Sequence, residues 1–108
     1  VAMPVPEDTE PPRISQVSYS KNKIRRGRDL ELTLFWDASD NQRLADQELW
    51  YLESGVPQFP IVTGLAEQDR TFRWVLPSGL NKTKTAQIEV RVRDQAGNQS
   101  ALAGPLLK

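Results

Sequence analysis

The stretch Leu30-Glu31-Leu32-Thr33-Leu34-Phe35-Trp36-Asp37 decides the fold class of this chain. Leu30, Leu32, Leu34 and Trp36 recur at every second position, with Glu31, Thr33 and Phe35 between them. Successive side chains of an extended chain point to opposite faces, so the pattern places four large apolar groups on one face of a strand. A helix would scatter the same residues around its circumference. Ala86 to Arg93 repeats the pattern, Ile88, Val90 and Val92 alternating with Glu89, Arg91 and Arg93. Two half-buried strands of this kind line one core.

Shorter extended runs fill the intervals: Ile14 to Tyr19, Glu48 to Leu52, Phe59 to Thr63, Thr71 to Leu76, and Ser100 to Leu107. Turn-forming clusters separate them at Arg26-Gly27-Arg28, Ser39-Asp40-Asn41, Ser54-Gly55, Pro77-Ser78-Gly79 and Ala96-Gly97-Asn98. The one helix-compatible stretch, Asn41 to Glu48, has no apolar stripe and is too short to stand alone. About seven short strands with turns between them predict an all-β chain, an immunoglobulin-like antiparallel β-sandwich. Its core is expected around Trp36, Phe72, Trp74, Ile88, Val90 and Val92. Residues 1–12, with Pro4, Pro6, Pro11 and Pro12 among acidic and small side chains, read as a proline-rich linker ahead of a domain at 13–108.

Composition narrows the function. The 108 residues suffice for one domain, and the chain contains neither cysteine nor histidine. Disulfides, thiolate nucleophiles, imidazole metal sites and histidine-based hydrolytic triads are thereby excluded. Fourteen basic and fourteen acidic residues cancel, so no overall field is expected to hold a nucleic acid or an anionic membrane surface. No apolar run approaches the length of a membrane span, so membrane insertion is not expected either. The chain opens on Val1 without a signal-like segment and reads as a piece of a longer protein.

Several fragments, in order, resemble bacterial immunoglobulin-like and fibronectin type III-like repeats. They are Asp8-Thr9-Glu10-Pro11-Pro12, Leu34-Phe35-Trp36-Asp37-Ala38-Ser39-Asp40-Asn41, Thr63-Gly64-Leu65 and Phe72-Arg73-Trp74-Val75-Leu76-Pro77. The most specific is Val92-Arg93-Asp94-Gln95-Ala96-Gly97-Asn98-Gln99-Ser100, similar to the Asp-x-Ala-Gly-Asn-x-Ser hairpin that closes many such repeats. The resemblance spans residues 8 to 104. It implies a module found in tandem in secreted or surface-anchored bacterial proteins, where copies act as spacers, adhesin stalks or accessory domains of enzymes. Two departures stand out: 52–57 lacks the family's Asp-Gly-Gly turn, and Gln47 occupies a position usually apolar, which puts strand pairing there in question.

Two constellations could carry function. An immunoglobulin-like topology brings the loop after the second strand to the loop between the last two, gathering Asp37, Asp40 and Asn41 near Asp94 and Asn98. Oxygen ligands in such a cluster suit Ca2+, with Asp46 and Asp8 as further donors, whereas the same residue types also serve as plain turn formers. Asp37 with Asp94 is also the only plausible catalytic carboxylate pair, and no enzyme activity is expected from it.

The second constellation is Trp50 beside Arg91 and Arg93, with Leu49 and Tyr51 inward and Trp50 and Leu52 outward. It reads as structural packing, an interdomain contact, or a platform for a glycan or protein. The basic run Lys21, Lys23, Arg25, Arg26 and Arg28 reads as a solvated edge, with anionic envelope polymers as the rival partner. Two glycosylation triplets, Asn81-Lys82-Thr83 and Asn98-Gln99-Ser100, matter only in a glycosylating pathway. The expectation is therefore a non-catalytic spacer or presentation module of a secreted or envelope-associated bacterial protein, located extracellularly, at the cell surface or in the periplasm. Its partners would be neighbouring domains of the same chain. The rival reading is an adhesin-type domain recognising a glycan or surface protein, stabilised by Ca2+.

Overall fold

Leu32, Leu34 and Trp36 point inward from a strand that runs Glu31–Ser39 in a computed structural model describing residues 10–25, 28–40, 43–77, 79–80 and 84–108. The strands are β1 (Arg13–Tyr19), β2 (Glu31–Ser39), β3 (Leu44–Glu53), β4 (Val56–Leu65), β5 (Thr71–Val75), β6 (Ala86–Asp94) and β7 (Gln99–Ala103), and no helix occurs among the described residues. They form two antiparallel sheets, ordered β1-β2-β5 and β4-β3-β6-β7. The inner faces share one core, so the fold is the expected all-β sandwich. Because β4 pairs with β3 and not with β5, the sheets hold three and four strands, unlike the four-plus-three division of an immunoglobulin constant domain.

The alternation read from the sequence sets the core. Trp36 and Trp74 from one sheet meet Leu49, Tyr51, Ile88, Val90 and Val92 from the other. Each fully buried aliphatic or aromatic side chain contributes roughly 1.5 to 3 kcal/mol. Phe72 is only partly buried, because β5 is an edge strand. Leu30 departs from the expected inner stripe and is 76% exposed, for it precedes β2 where the ladder with β5 ends at Glu31–Val75. Leu52 departs in the other direction: it shares the outer-face parity of Trp50 yet is only 2% exposed and lies outside the core cluster. It sits in a central strand between Pro57 of β4 and Gln87 of β6, next to a register shift in the β3–β4 ladder.

The strand edges explain how the sandwich closes. β4 is an outer strand and carries Pro57 and Pro60, which lack the amide donors that a foreign strand would need. Its hairpin with β3 turns at Ser54 and Gly55, both at positive φ (50° and 77°), as a two-residue turn of primed type requires. On the opposite flank Tyr19 joins the sheets. Its hydroxyl donates to the Pro105 carbonyl (2.8 Å) and accepts from the Ile88 amide (3.0 Å). Gly104 lies against that ring, where a Cβ would collide with the Tyr19 hydroxyl and with Val17. Past β7, Leu107 is fully buried and bridges to Ala86, while Lys108 hydrogen-bonds with Asn22 and Ile24.

Residues 1–9 of the expected linker lie outside the described residues. At its end Pro12 is buried and its carbonyl accepts from Ser100 Oγ (2.6 Å), so the chain is anchored to β7 before β1 begins.

Candidate functional site

The outer face of the four-stranded sheet carries the Trp50 constellation. Trp50 lies opposite Glu89 and next to the Glu48–Arg91 pair in the β3–β6 ladder. That register brings the Arg91 guanidinium over the indole, 4.3 Å from the ring centroid. The indole N–H donates to Glu48 Oε1 (2.9 Å), and Arg91 Nε donates to Glu89 Oε1. Arg93 extends the row through Asp46 at 3.5 Å. A shallow cavity of about 100 Å³ lies between these side chains, lined by Asp46, Glu48, Arg91, Val92, Arg93 and Gln99. Chemically the row is a ladder of alternating charge with one aromatic face stacked by its own arginine, an arrangement worth about 0.5 to 1 kcal/mol on a surface.

The loop end behaves differently. Asp94 is buried at the end of β6, and its carboxylate organises the closing hairpin. Oδ1 accepts from the amides of Ala96 (3.0 Å) and Asn98 (2.8 Å), while Oδ2 accepts from Asn98 Nδ2 (3.0 Å). Gly97 supplies the positive φ of 92° that the turn needs. Asp37 is exposed on the outer face of β2, where it accepts from Ser15 and lies 3.9 Å from Arg70. Asp46 of β3 is drawn to Arg93, its neighbour on β6 within the four-stranded sheet. Among the described residues no group of three or more acidic side chains comes together that could hold a metal ion. Asp94 and Asn98 are joined; Asp37 belongs to a different surface; Asn41 and Asp8 lie outside the described residues, as do Arg26 of the basic run and the triplet at 81–83.

Sequence reasoning missed the role of Gln47. Its side chain is fully buried, and both ends of the amide are used. Oε1 accepts from Trp36 Nε1 (2.9 Å) and from Arg70 Nη1 (3.4 Å), while Nε2 donates to the carbonyls of Ala66 and Asp69. Arg70 in turn donates to the carbonyls of Glu67, Asp69 and Ala38, tying the β4–β5 connection to the end of β2. The pairing put in question at Gln47 is present, opposite Leu65 and Val92, with a register shift before Leu49 on the β4 side. The one signal in the sequence was the polar residue in an apolar slot, which becomes interpretable only once a buried indole N–H faces it.

Titration follows the same contacts. Burial pushes the Tyr19 hydroxyl up to about 12, against a smaller opposing effect of the Ile88 amide. Hydrogen bonds from the Arg25 amide and from Lys21 hold Asp29 below the usual carboxylate range, and Arg43 does the same for Glu67.

Comparison of the chain with protein-family models, curated proteins and solved structures gave no significant match.

Proposed function

We propose that this chain is a non-catalytic spacer or presentation module of a larger secreted or envelope-associated bacterial protein, with neighbouring domains as its partners. The observation that carries the reading is that the Trp50 row and the Asp94 hairpin are engaged within the chain. Arg91 stacks on Trp50, Glu48 takes its N–H, and Asp94 accepts three hydrogen bonds from its own turn. Such side chains stiffen a sandwich, and stiffness is what a spacer contributes. The resemblance of 92–100 to the closing hairpin of bacterial immunoglobulin-like repeats supports the same reading.

A second reading keeps the Trp50, Arg91 and Arg93 face as a recognition surface for a glycan or surface protein. The cavity beside Arg91 and Arg93 favours it. Binding of the chain and of its Trp50→Ala and Arg91→Ala variants to a glycan array and to isolated envelope proteins separates the two. A spacer gives no selective signal for any of the three. A ligand bound by the parent chain and weakened tenfold or more by either variant, about 1.4 kcal/mol, overturns the spacer reading in favour of recognition.

A further inference from the structure

The zero net charge of the chain conceals a separation that the topology creates. β1, β3, β5 and β7 finish at one end of the sandwich, and β2, β4 and β6 start there. The connections at that end carry Lys21, Lys23, Arg25, Arg28, Lys84 and Lys108, all exposed. Among the described residues of these connections the only acid is Asp29, which is paired with Lys21 at 2.8 Å. Of the strand-end acids beside them, Glu31 faces Arg73 at 3.5 Å and Glu53 borders the cavity under Phe59. At the opposite end Arg43 pairs with Glu67 (2.7 Å) and Arg70 approaches Asp37, while Arg13, at the start of β1, is exposed.

The backbone adds to the concentration of charge. The Lys108 amide donates to the Asn22 carbonyl and the Ile24 amide donates to the Lys108 carbonyl, which sets Lys23 and Lys108 side by side. Like charges on neighbouring extended segments destabilise a fold, so stability does not account for the arrangement.

A second observation, independent of charge, falls at the same end. Leu30, Val75, Val56 and Leu106 are exposed there, Leu30 just ahead of β2 and Val75 at the end of β5, where the Leu76 amide donates to the Leu30 carbonyl at the rim of the three-stranded sheet. Cations alone would suit any polyanion. Cations interspersed with exposed aliphatic side chains suit a surface that offers phosphates and hydrocarbon at neighbouring depths.

We propose that this basic, aliphatic end docks on the anionic face of a lipid bilayer, lysines and arginines meeting headgroup phosphates while Leu30 and Val75 enter the interface. The docking is peripheral and orients the long axis of the sandwich away from the membrane. It stands apart from the spacer reading, since it concerns an end and not the Trp50 face.

Flotation of the chain with vesicles of phosphatidylcholine, with and without phosphatidylglycerol, tests it. The chain is expected to float with the anionic vesicles only and to be released as salt rises well above about 0.1 M, where screening shortens to a few ångström. Lys23→Gln, Lys84→Gln and Lys108→Gln together should weaken binding about 100-fold, each lysine near an anionic leaflet being worth about fivefold. Leu30→Ser with Val75→Ser, both at exposed positions, should weaken it further by about tenfold. No flotation of the parent chain with anionic vesicles overturns the proposal. So does binding to vesicles and to soluble polyphosphate with equal affinity and no response to the Leu30 and Val75 variants, which would assign the end to soluble polyanions.

Discussion

Replacing Gln47 by Leu keeps the volume of the side chain and removes its amide, and so isolates the buried polar network from packing. Trp36 Nε1 then faces hydrocarbon, because Gln47 Oε1 at 2.9 Å is its hydrogen-bond acceptor. A buried donor left without a partner costs about 1 to 3 kcal/mol. The Ala66 and Asp69 carbonyls also lose a donor, but Ala66 is exposed to water and Asp69 keeps Arg70, so these losses fall at the low end, about 0.5 kcal/mol each. The sum is about 3 kcal/mol, a large share of the 5 to 15 kcal/mol typical of a domain. For a chain of this size it corresponds to a melting point lower by roughly 10 to 20 °C. Urea denaturation followed by tryptophan fluorescence measures it, and a Trp36→Phe background supplies the control. With no indole N–H to orphan, Gln47→Leu should cost about 1 to 2 kcal/mol less there, a coupling that closes a double-mutant cycle. A Gln47→Leu protein as stable as the parent, with no coupling to Trp36, refutes the reasoning that the amide and not its volume holds the two sheets in register.

Three further outcomes are expected. Tyr19 should ionise at about pH 12, and since its folded-state value lies above the unfolded one near 10, its contribution is intact below pH 10 and disappears as pH rises towards 12; ultraviolet titration of the chain against Tyr19→Phe assigns the step, and a Tyr19 transition near 10 would contradict the burial argument. Gly104→Ala should lower stability by about 1 to 3 kcal/mol and strip protection from the Ile88 amide in hydrogen exchange, because the new methyl displaces the Tyr19 hydroxyl. Calcium up to about 10 mM should leave the melting point unchanged, as the Asp94 oxygens already accept N–H donors; a saturable rise with shifts at Asp94 and Asn98 would restore a cation site.

The alternation in Leu32 to Trp36 and in Ala86 to Arg93 was enough to determine two core strands and their inner faces, because a period of two leaves each residue only two sides, and the sandwich followed from about seven such short runs separated by turns. Glycines at 55 and 97 likewise marked turns whose backbone other residues adopt only under strain. What the pattern could not determine are properties that belong to pairs distant in the chain. Trp36 and Gln47 become donor and acceptor only when β2 and β3 cross from one sheet to the other. Leu30 and Leu52 obey the periodicity yet exchange their environments, one past the end of a ladder and one flanked by two neighbours in a central strand. Asp37 and Asp94, alike as turn-region acids in the sequence, part company because one ends on an outer face and the other folds back on its own hairpin. The same holds for charge: a sum over the chain is zero whatever the fold, whereas the gathering of Lys21, Lys23, Arg25, Arg28, Lys84 and Lys108 at one end exists only once strand direction assigns each loop to an end.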